Sequence, residues 1–245
     1  YIVKYNSTDP MALTRTKAEN PITLQEAIMR RDSTIFPVAA IMERLEQIKS
    51  NPSIMDDVLV GTLVQKEDGT VICKPSADVP IRNFPHKDNK LEGAVEIYKL
   101  PILGHNGKPM AGRYWGGIDP YDDDASQTMS LGSIFIMDSF TDEIVAEYTG
   151  RPEFADDFYE ICRKLCIMYN AKVNYENNKK GLFTYFSKMH CLYYLTDTLE
   201  FLKDKDEPIG SITTNKTKGT NASLPVNNHA RRNIRDWLLK PVTII

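Results

Sequence analysis

The sequence has no apolar run near the roughly 20 residues that a membrane-spanning helix needs, and its first residues lack a signal-peptide pattern. It also lacks an excess of positive charge, because 30 lysines and arginines face 33 aspartates and glutamates, for a net charge of −3. Binding to nucleic acid would therefore depend on local basic patches. These absences predict a protein without membrane contact.

Cysteine is also scarce, with four residues in the chain: Cys73, Cys162, Cys166 and Cys191. None belongs to a CxxC pair, so the spacing does not favour a zinc site, and a disulfide framework is not expected at this chain length. The cysteines are expected to be buried free thiols in a reducing compartment.

The N-terminal part of the chain shows helix signals. Thr23–Glu26 is a capping box that predicts a short helix through Arg31, and a second helix is predicted from Pro37 to Ile48. Asn51–Pro52 should end the second helix. We expect residues 1–55 to be an N-terminal extension and residues 56–245 to form the main domain.

The remainder reads as strands and helices in a recognisable order. Period-two patterns predict strands at 58–64, 71–74, 94–100, 113–119, 131–138, 143–149 and 171–176, with weaker signals at 192–195 and 209–213. Helices are predicted at 153–169, 181–189 and 227–239. The run Ile134–Met137 predicts a strand buried on both faces, and the aromatic group Tyr185, Phe186, Tyr193 and Tyr194 is expected in the core.

From residue 113 the order is three antiparallel strands, helix, strand, helix, strand, helix. This is the order of the ribonuclease H-like fold, an α/β architecture with a mixed sheet flanked by helices. The predicted hairpin and helices before residue 113 would extend it at the N-terminus.

Two strands of this sheet end in a carboxylate. Asp119 follows Gly116–Gly117, which leave room for another backbone or a ligand, and Glu176 ends a later strand. A strand–helix–strand crossover places these strand ends side by side, where two carboxylates repel unless they share a proton or divalent cations. Two Mg²⁺ or Mn²⁺ ions would suit such oxygen ligands and phosphodiester hydrolysis. The alternative is that both acids lie in ordinary solvated turns.

Several short motifs occur in one order along the chain. They are Pro21–Ala27 with Phe36–Pro37, Tyr114–Pro120, Asp124–Ser126, Glu147–Arg151, Val173–Asn178 with Gly181, and Ile212–Lys216. With this ordered set the sequence resembles the nuclease domain of the large terminase subunit of tailed bacteriophages. Each motif is short, and the ordered set covers nearly the whole chain.

The resemblance implies a metal-dependent endonuclease that cuts concatemeric double-stranded viral DNA in the host cytoplasm, at the procapsid. Asp119 and Glu176 would be the first and second metal-binding acids, and Asp124 a secondary one for which Asp122 and Asp123 compete. The family's third acid has no counterpart here and is expected beyond Ile245. Implied partners are the terminase ATPase domain, to which residues 1–55 would lead, the small terminase subunit and the portal.

DNA contacts are expected from a polar loop and a helix near the C-terminal end of the chain. The candidate residues are Lys216, Lys218, Arg231 and Arg232, whose charges could meet phosphates. An ordinary solvated loop and helix face is the alternative.

Two other functions are compatible with the sequence. One is another ribonuclease H-like nuclease, such as a junction resolvase. The other is a catalytically silent DNA-binding or motor-docking module of a packaging machine, which the acidic net charge and the missing third acid favour.

Overall fold

The computed structural model describes Thr16 and residues 35–82, 90–121, 130–198 and 218–240. The chain divides into two compact units, one of residues 1–57 and 227–244 and the other built from residues 58–226. The predicted short helix at 23–31 and the predicted strand at 209–213 lie outside the described residues.

The first unit holds a helix that the sequence predicts. Helix α1 spans Val38–Ser50, with Pro37 at its N-cap, and a 3-10 turn follows at Pro52–Met55. The predicted helix at 37–48 is thus confirmed, and it runs two residues further. Proline at a helix start costs little, because the first backbone N–H groups have no partner inside the helix.

The second unit is built on one seven-stranded mixed sheet. Its strands are β1 Leu59–Gln65, β2 Val71–Pro75, β3 Val95–Ile97, β4 Tyr114–Asp119, β5 Gly132–Asp138, β6 Glu143–Gly150 and β7 Lys172–Tyr175. The strand order is β2-β1-β3-β6-β5-β4-β7, and the β4–β7 pair is parallel while all other neighbours are antiparallel. The predicted α/β class with a mixed sheet is confirmed.

The N-terminal hairpin belongs to this sheet. β1 and β2 pair as predicted around the turn at Gly69, and β1 then pairs with β3, which pairs with β6. The hairpin predicted as an extension therefore continues the main sheet through β3. The sequence did not reveal this, because β3 is only three residues long.

Helix α2, Ala155–Tyr169, covers one face of the sheet and builds the core. Phe158 is fully buried, with its ring centroid 6.0 Å from that of Tyr148 on β6. Asp156 and Asp157 in the first turn complement the helix dipole. Asn170 ends the helix in the left-handed conformation, with φ of 48°, and the chain then enters β7.

The opposite face of the central strands is more open. Along β4 and β5 the burial alternates, so that Trp115 and Phe135 point away from α2 and are 40% and 39% exposed. The prediction that Ile134–Met137 is buried on both faces is therefore wrong at Phe135. An apolar run reads the same whichever face is covered.

The remaining elements follow β7. Helix α3 spans Gly181–Lys188, helix α4 spans Leu224–Leu238, and a 3-10 turn occupies Leu192–Tyr194. The predicted strand at 192–195 is thus wrong, and the helix predicted at 227–239 begins three residues earlier. The predicted aromatic core holds for Phe186 and Tyr194, whereas Tyr193 is 59% exposed.

The cysteines are free thiols, as predicted. Cys162, Cys166 and Cys191 are buried, and Cys73 is partly buried. Among the described helices, none has the length and apolar character to cross a membrane.

Candidate functional site

The structure brings Asp119 and Glu176 to the same edge of the sheet. β4 and β7 run in parallel with Ile118 opposite Tyr175, and the backbone N–H of Glu176 donates to the carbonyl of Ile118 at 3.3 Å. Asp119, the last residue of β4, and Glu176, the first residue after β7, are each one residue beyond this pair. Neighbouring strands lie about 4.8 Å apart, so the two residues, here called the acid pair, are direct neighbours.

The acid pair also lies on one face. Asp119 belongs to the exposed series of β4 with Trp115 and Gly117, while Ile118 is buried beneath α2. Side chains of residues paired in a parallel ladder point to the same side, so Glu176 shares the face of Asp119. The pair therefore opens to solvent on the side of the sheet away from α2.

Polar side chains after β7 surround the acid pair. Asn178 Nδ2 donates to Glu176 Oε1 at 3.1 Å, and Lys179 Nζ donates to the Pro120 carbonyl at 2.6 Å. The Lys179 ammonium is thereby held at the end of β4, directly after Asp119. A cation in this position offsets part of the repulsion between the two carboxylates.

Asn174 is a site residue that the sequence did not single out. Its Oδ1 accepts hydrogen bonds from the Thr220 hydroxyl at 3.0 Å and the Thr196 hydroxyl at 3.4 Å. It lies two residues before Glu176 on β7 and therefore on the same face. The sequence signal that points to Asn174 is its spacing of two residues from Glu176, because residues two apart in a strand lie on the same face.

The donor set suits a hard cation. Asp119 and Glu176 supply carboxylate oxygens, and Mg²⁺ is commonly bound by one or two carboxylates together with waters and substrate phosphate. Within the described ranges no cluster of three or more His, Cys, Asp and Glu residues is placed to hold a metal ion. Asp124, with Asp122 and Asp123, lies in residues 122–129, outside them.

The described residues among the predicted DNA-binding set belong to both compact units. Lys218 Nζ forms an ion pair with Asp197 at 2.9 Å and donates to the Leu195 carbonyl at 2.9 Å, so its charge already has a partner in the protein. Arg231 and Arg232 are exposed on α4, in the other compact unit. Lys216 lies outside the described residues. Phosphate contact by these residues stays a prediction.

A second pair of acids lies on the sheet, and the sequence did not reveal it. Glu96 on β3 and Glu147 on β6 are opposite each other in the antiparallel ladder, and Glu96 is 2% exposed. Arg82 forms an ion pair with Glu96. Burial, a hydrogen bond that protonated Glu147 donates to Glu96, and the charge of Glu96 raise the pKa of Glu147 to about 7, while Tyr98 and Arg82 act in the opposite direction. Glu147 itself is partly buried, and we call these two residues the Glu96–Glu147 pair.

Replacing Asn174 with alanine is expected to lower the free energy of unfolding by about 1–2 kcal/mol, because two part-buried hydroxyls lose their acceptor. Urea unfolding at fixed pH would measure the change. Asn178→Ala, at an exposed neighbouring position, should change stability by less than about 0.5 kcal/mol. Equal losses in the two variants would contradict a special role for Asn174.

No family model matches this sequence, and no curated protein matches it either. The functional argument therefore depends on the acid pair, its surroundings and the ordered motifs.

Proposed function

We propose that residues 58–226 carry a ribonuclease H-like nuclease site and that the protein is the metal-dependent endonuclease part of a viral DNA-packaging terminase. The observation that carries this proposal is the parallel β4–β7 pair, which puts Asp119 and Glu176 side by side on one open face. The ordered motifs, which resemble those of terminase nuclease domains, give the finer assignment.

The sheet topology supports the ribonuclease H-like assignment. Strands β4, β5 and β6 form an antiparallel meander, α2 crosses one face, and β7 returns parallel to β4. This is the arrangement that the sequence order predicts for such a fold. The added strands β1, β2 and β3 extend the sheet on the far side of β6 and leave the acid pair at the opposite edge.

The residues around the acid pair have distinct tasks in this proposal. Mg²⁺ or Mn²⁺ bound by Asp119 and Glu176 would supply Lewis-acid polarisation of a phosphodiester and an activated water. Asn178 orients the Glu176 carboxylate through its hydrogen bond. Lys179 fixes the end of β4 and brings positive charge to where phosphate would approach.

Plasmid cleavage in the presence of Mn²⁺ tests the proposal. Asp119→Ala and Glu176→Ala should each lower the cleavage rate at least about 100-fold, because each removes a ligand of the same cation site. The matched control is Glu67→Gln, an exposed acid in the β1–β2 turn at the opposite edge of the sheet, which should cleave like the parent. Cleavage that survives both alanine substitutions would rule out the metal-site assignment.

A longer chain provides a second comparison. If the parent is inactive and a form extended beyond Ile245 cleaves DNA, the added residues are needed for cleavage, as expected if they supply the third acid. If Asp119→Ala abolishes cleavage by the extended form, the acid pair is part of the site in that form too.

A catalytically silent DNA-binding or motor-docking module is the second candidate. It is favoured by the acid count at this edge, where the described residues bring together two carboxylates and no third. This candidate predicts DNA binding without cleavage in any extended form. Melting temperatures with and without Mn²⁺ would show in the same experiment whether the acid pair binds the ion.

A further inference from the structure

A recess with a glycine floor lies beside the acid pair on the open face of the sheet. Gly117 on β4 is opposite Phe135 on β5 and opposite Asn174 on β7, while Trp115 and Asp119 flank it along its own strand. These five residues share one face, because paired residues and residues two apart point to the same side. We call this site the Gly117 recess.

The described residues leave the space above Gly117 open. A Cβ atom added there would have no atom of a described residue within 4 Å, whereas one added at Gly116 would lie 2.5 Å from the carbonyl oxygen of Phe135. The aromatic walls, Trp115 and Phe135, are both partly exposed. The recess is therefore shallow, floored by backbone and bounded by two rings.

The groups around the recess are held in place. Trp115 Nε1 donates to the Gly112 carbonyl at 3.0 Å, which anchors one edge of the indole. The amide oxygen of Asn174 is engaged by two threonine hydroxyls, so the remaining capacity of this side chain is its two N–H donors. Two aromatic rings and an amide whose N–H groups are still available to donate therefore lie around the recess.

Basic and aromatic residues continue from the recess along β7. Lys172 is the register partner of Trp115, its ammonium bonds to the Tyr193 carbonyl, and it lies 5.9 Å from the centroid of the exposed Tyr193 ring. Interleaved rings and cations are the combination by which proteins hold single-stranded nucleic acid, stacking the bases and attracting the phosphates.

We propose that the Gly117 recess binds an unpaired nucleobase of the DNA strand, stacked against Trp115 and Phe135, while a phosphate of that strand lies at Asp119 and Glu176. This inference rests on the proposed nuclease function and adds the state of the substrate, a locally unpaired strand. Asp119 is two residues from Gly117, or about 7 Å along β4, a distance on the scale of one nucleotide.

The polarity of the recess favours a base over a covering protein segment. A helix or a second copy of the chain packed on this face would have to bury the Asn174 amide and approach two carboxylates. A nucleobase offers acceptors to that amide and keeps its phosphate outside, where bound cations or Lys179 can meet it.

Trp115 provides a direct probe, because the chain has two tryptophans and Trp237→Phe leaves Trp115 alone. The Asp119→Asn/Glu176→Gln double substitution is added, so that neither cleavage nor a metal is needed for binding. A single-stranded 12-mer of thymidylate at low salt should then quench Trp115 fluorescence in a saturable way. A 12-mer of the same length with abasic sites, which has the same phosphates and no bases, should quench at least about 10-fold less effectively.

A second variant tests the shape of the recess. Gly117→Val fills the open space with a residue that favours strands, and it should weaken thymidylate binding about 10-fold or more with an unchanged melting temperature. The control is Gly104→Ala in the hairpin turn at 103–109, where an added Cβ meets ordinary contacts of 3.5 Å and beyond. It should bind like its parent.

Equal quenching by both oligonucleotides, or binding that Gly117→Val leaves unchanged, would overturn the proposal. Absence of quenching by either oligonucleotide would also overturn it, as expected if another protein segment covers this face. These readouts need neither metal nor cleavage. Failure of the recess is therefore distinguishable from failure of the nuclease assignment, which the dependence of cleavage on Asp119 and Glu176 reports separately.

Discussion

Gly116→Ala is expected to lower the free energy of unfolding by about 2–3 kcal/mol, a large loss for a single methyl group. The new Cβ would lie 2.5 Å from the Phe135 carbonyl oxygen, 2.9 Å from Ile136 Cδ1 and 3.0 Å from Val173 Cγ1. The carbonyl is part of the β4–β5 ladder, so it cannot move away without disturbing strand pairing. Chemical denaturation should show a lower midpoint with an unchanged m-value.

The neighbouring glycine is the matched control. Gly117→Ala adds the same methyl group to the same strand on the open face, where no described residue has an atom within 4 Å. Its stability should equal that of the parent or exceed it by up to about 0.5 kcal/mol, since alanine loses less backbone entropy on folding. Similar losses at both positions would contradict the assignment of Gly116 to close strand packing and of Gly117 to open space.

Glu147→Gln is expected to stabilise the protein at pH 8 by about 1–2 kcal/mol and to have little effect at pH 4.5. The pKa of Glu147 is raised to about 7, first by burial and then by Glu96, so the folded state holds a proton that the unfolded state releases near pH 4.5. Stability of the parent should therefore fall as the pH rises from about 4.5 to about 7 and then level off. Glutamine, which is neutral throughout, should remove that part of the slope.

Glu143 on the same strand is a control, because its pKa is shifted in the opposite direction from that of Glu147. A hydrogen bond from Lys99, followed by one from Thr141, lowers the pKa of Glu143. Its contribution to stability is present at neutral pH and is lost as the pH falls, so Glu143→Gln should destabilise slightly at pH 7, by at most about 0.5 kcal/mol. Urea unfolding of both variants at pH 4.5, 6 and 8 would separate the two cases. A Glu147→Gln protein with the parent's full pH dependence would contradict the interpretation of the Glu96–Glu147 pair.

Much of the sheet could be predicted from local sequence. The strands predicted at 113–119, 131–138 and 143–149 agree with β4, β5 and β6 to within one residue at both ends. Apolar and polar residues alternate along a half-buried strand, so a short stretch of consecutive residues is enough to predict it. The adjacency of Asp119 and Glu176 was also predictable, because a single helix between β6 and β7 favours a return parallel to β4.

The contacts around the site could not be predicted in the same way. Asn174 depends on Thr196 and Thr220, which are 22 and 46 residues away, and Glu96 meets Glu147 through a strand of three residues. Such a short strand carries too few residues for its register to be read from sequence. The exposure of Phe135 depends on which face of the sheet α2 covers. The sequence of β5 alone does not indicate that face.

The parallel β4–β7 pairing also has a consequence for how the chain folds. β7 begins 53 residues after the end of β4, at Lys172 against Asp119, whereas β4 and β5 are joined through a much shorter connection. Until α2 has formed and β7 has docked, the outer side of β4 presents unpaired N–H and C=O groups, and such an edge can pair with another chain. The strand that leads into Glu176 is thus the same strand that covers this side of β4, so protection of β4 and assembly of the acid pair depend on the same long-range contact.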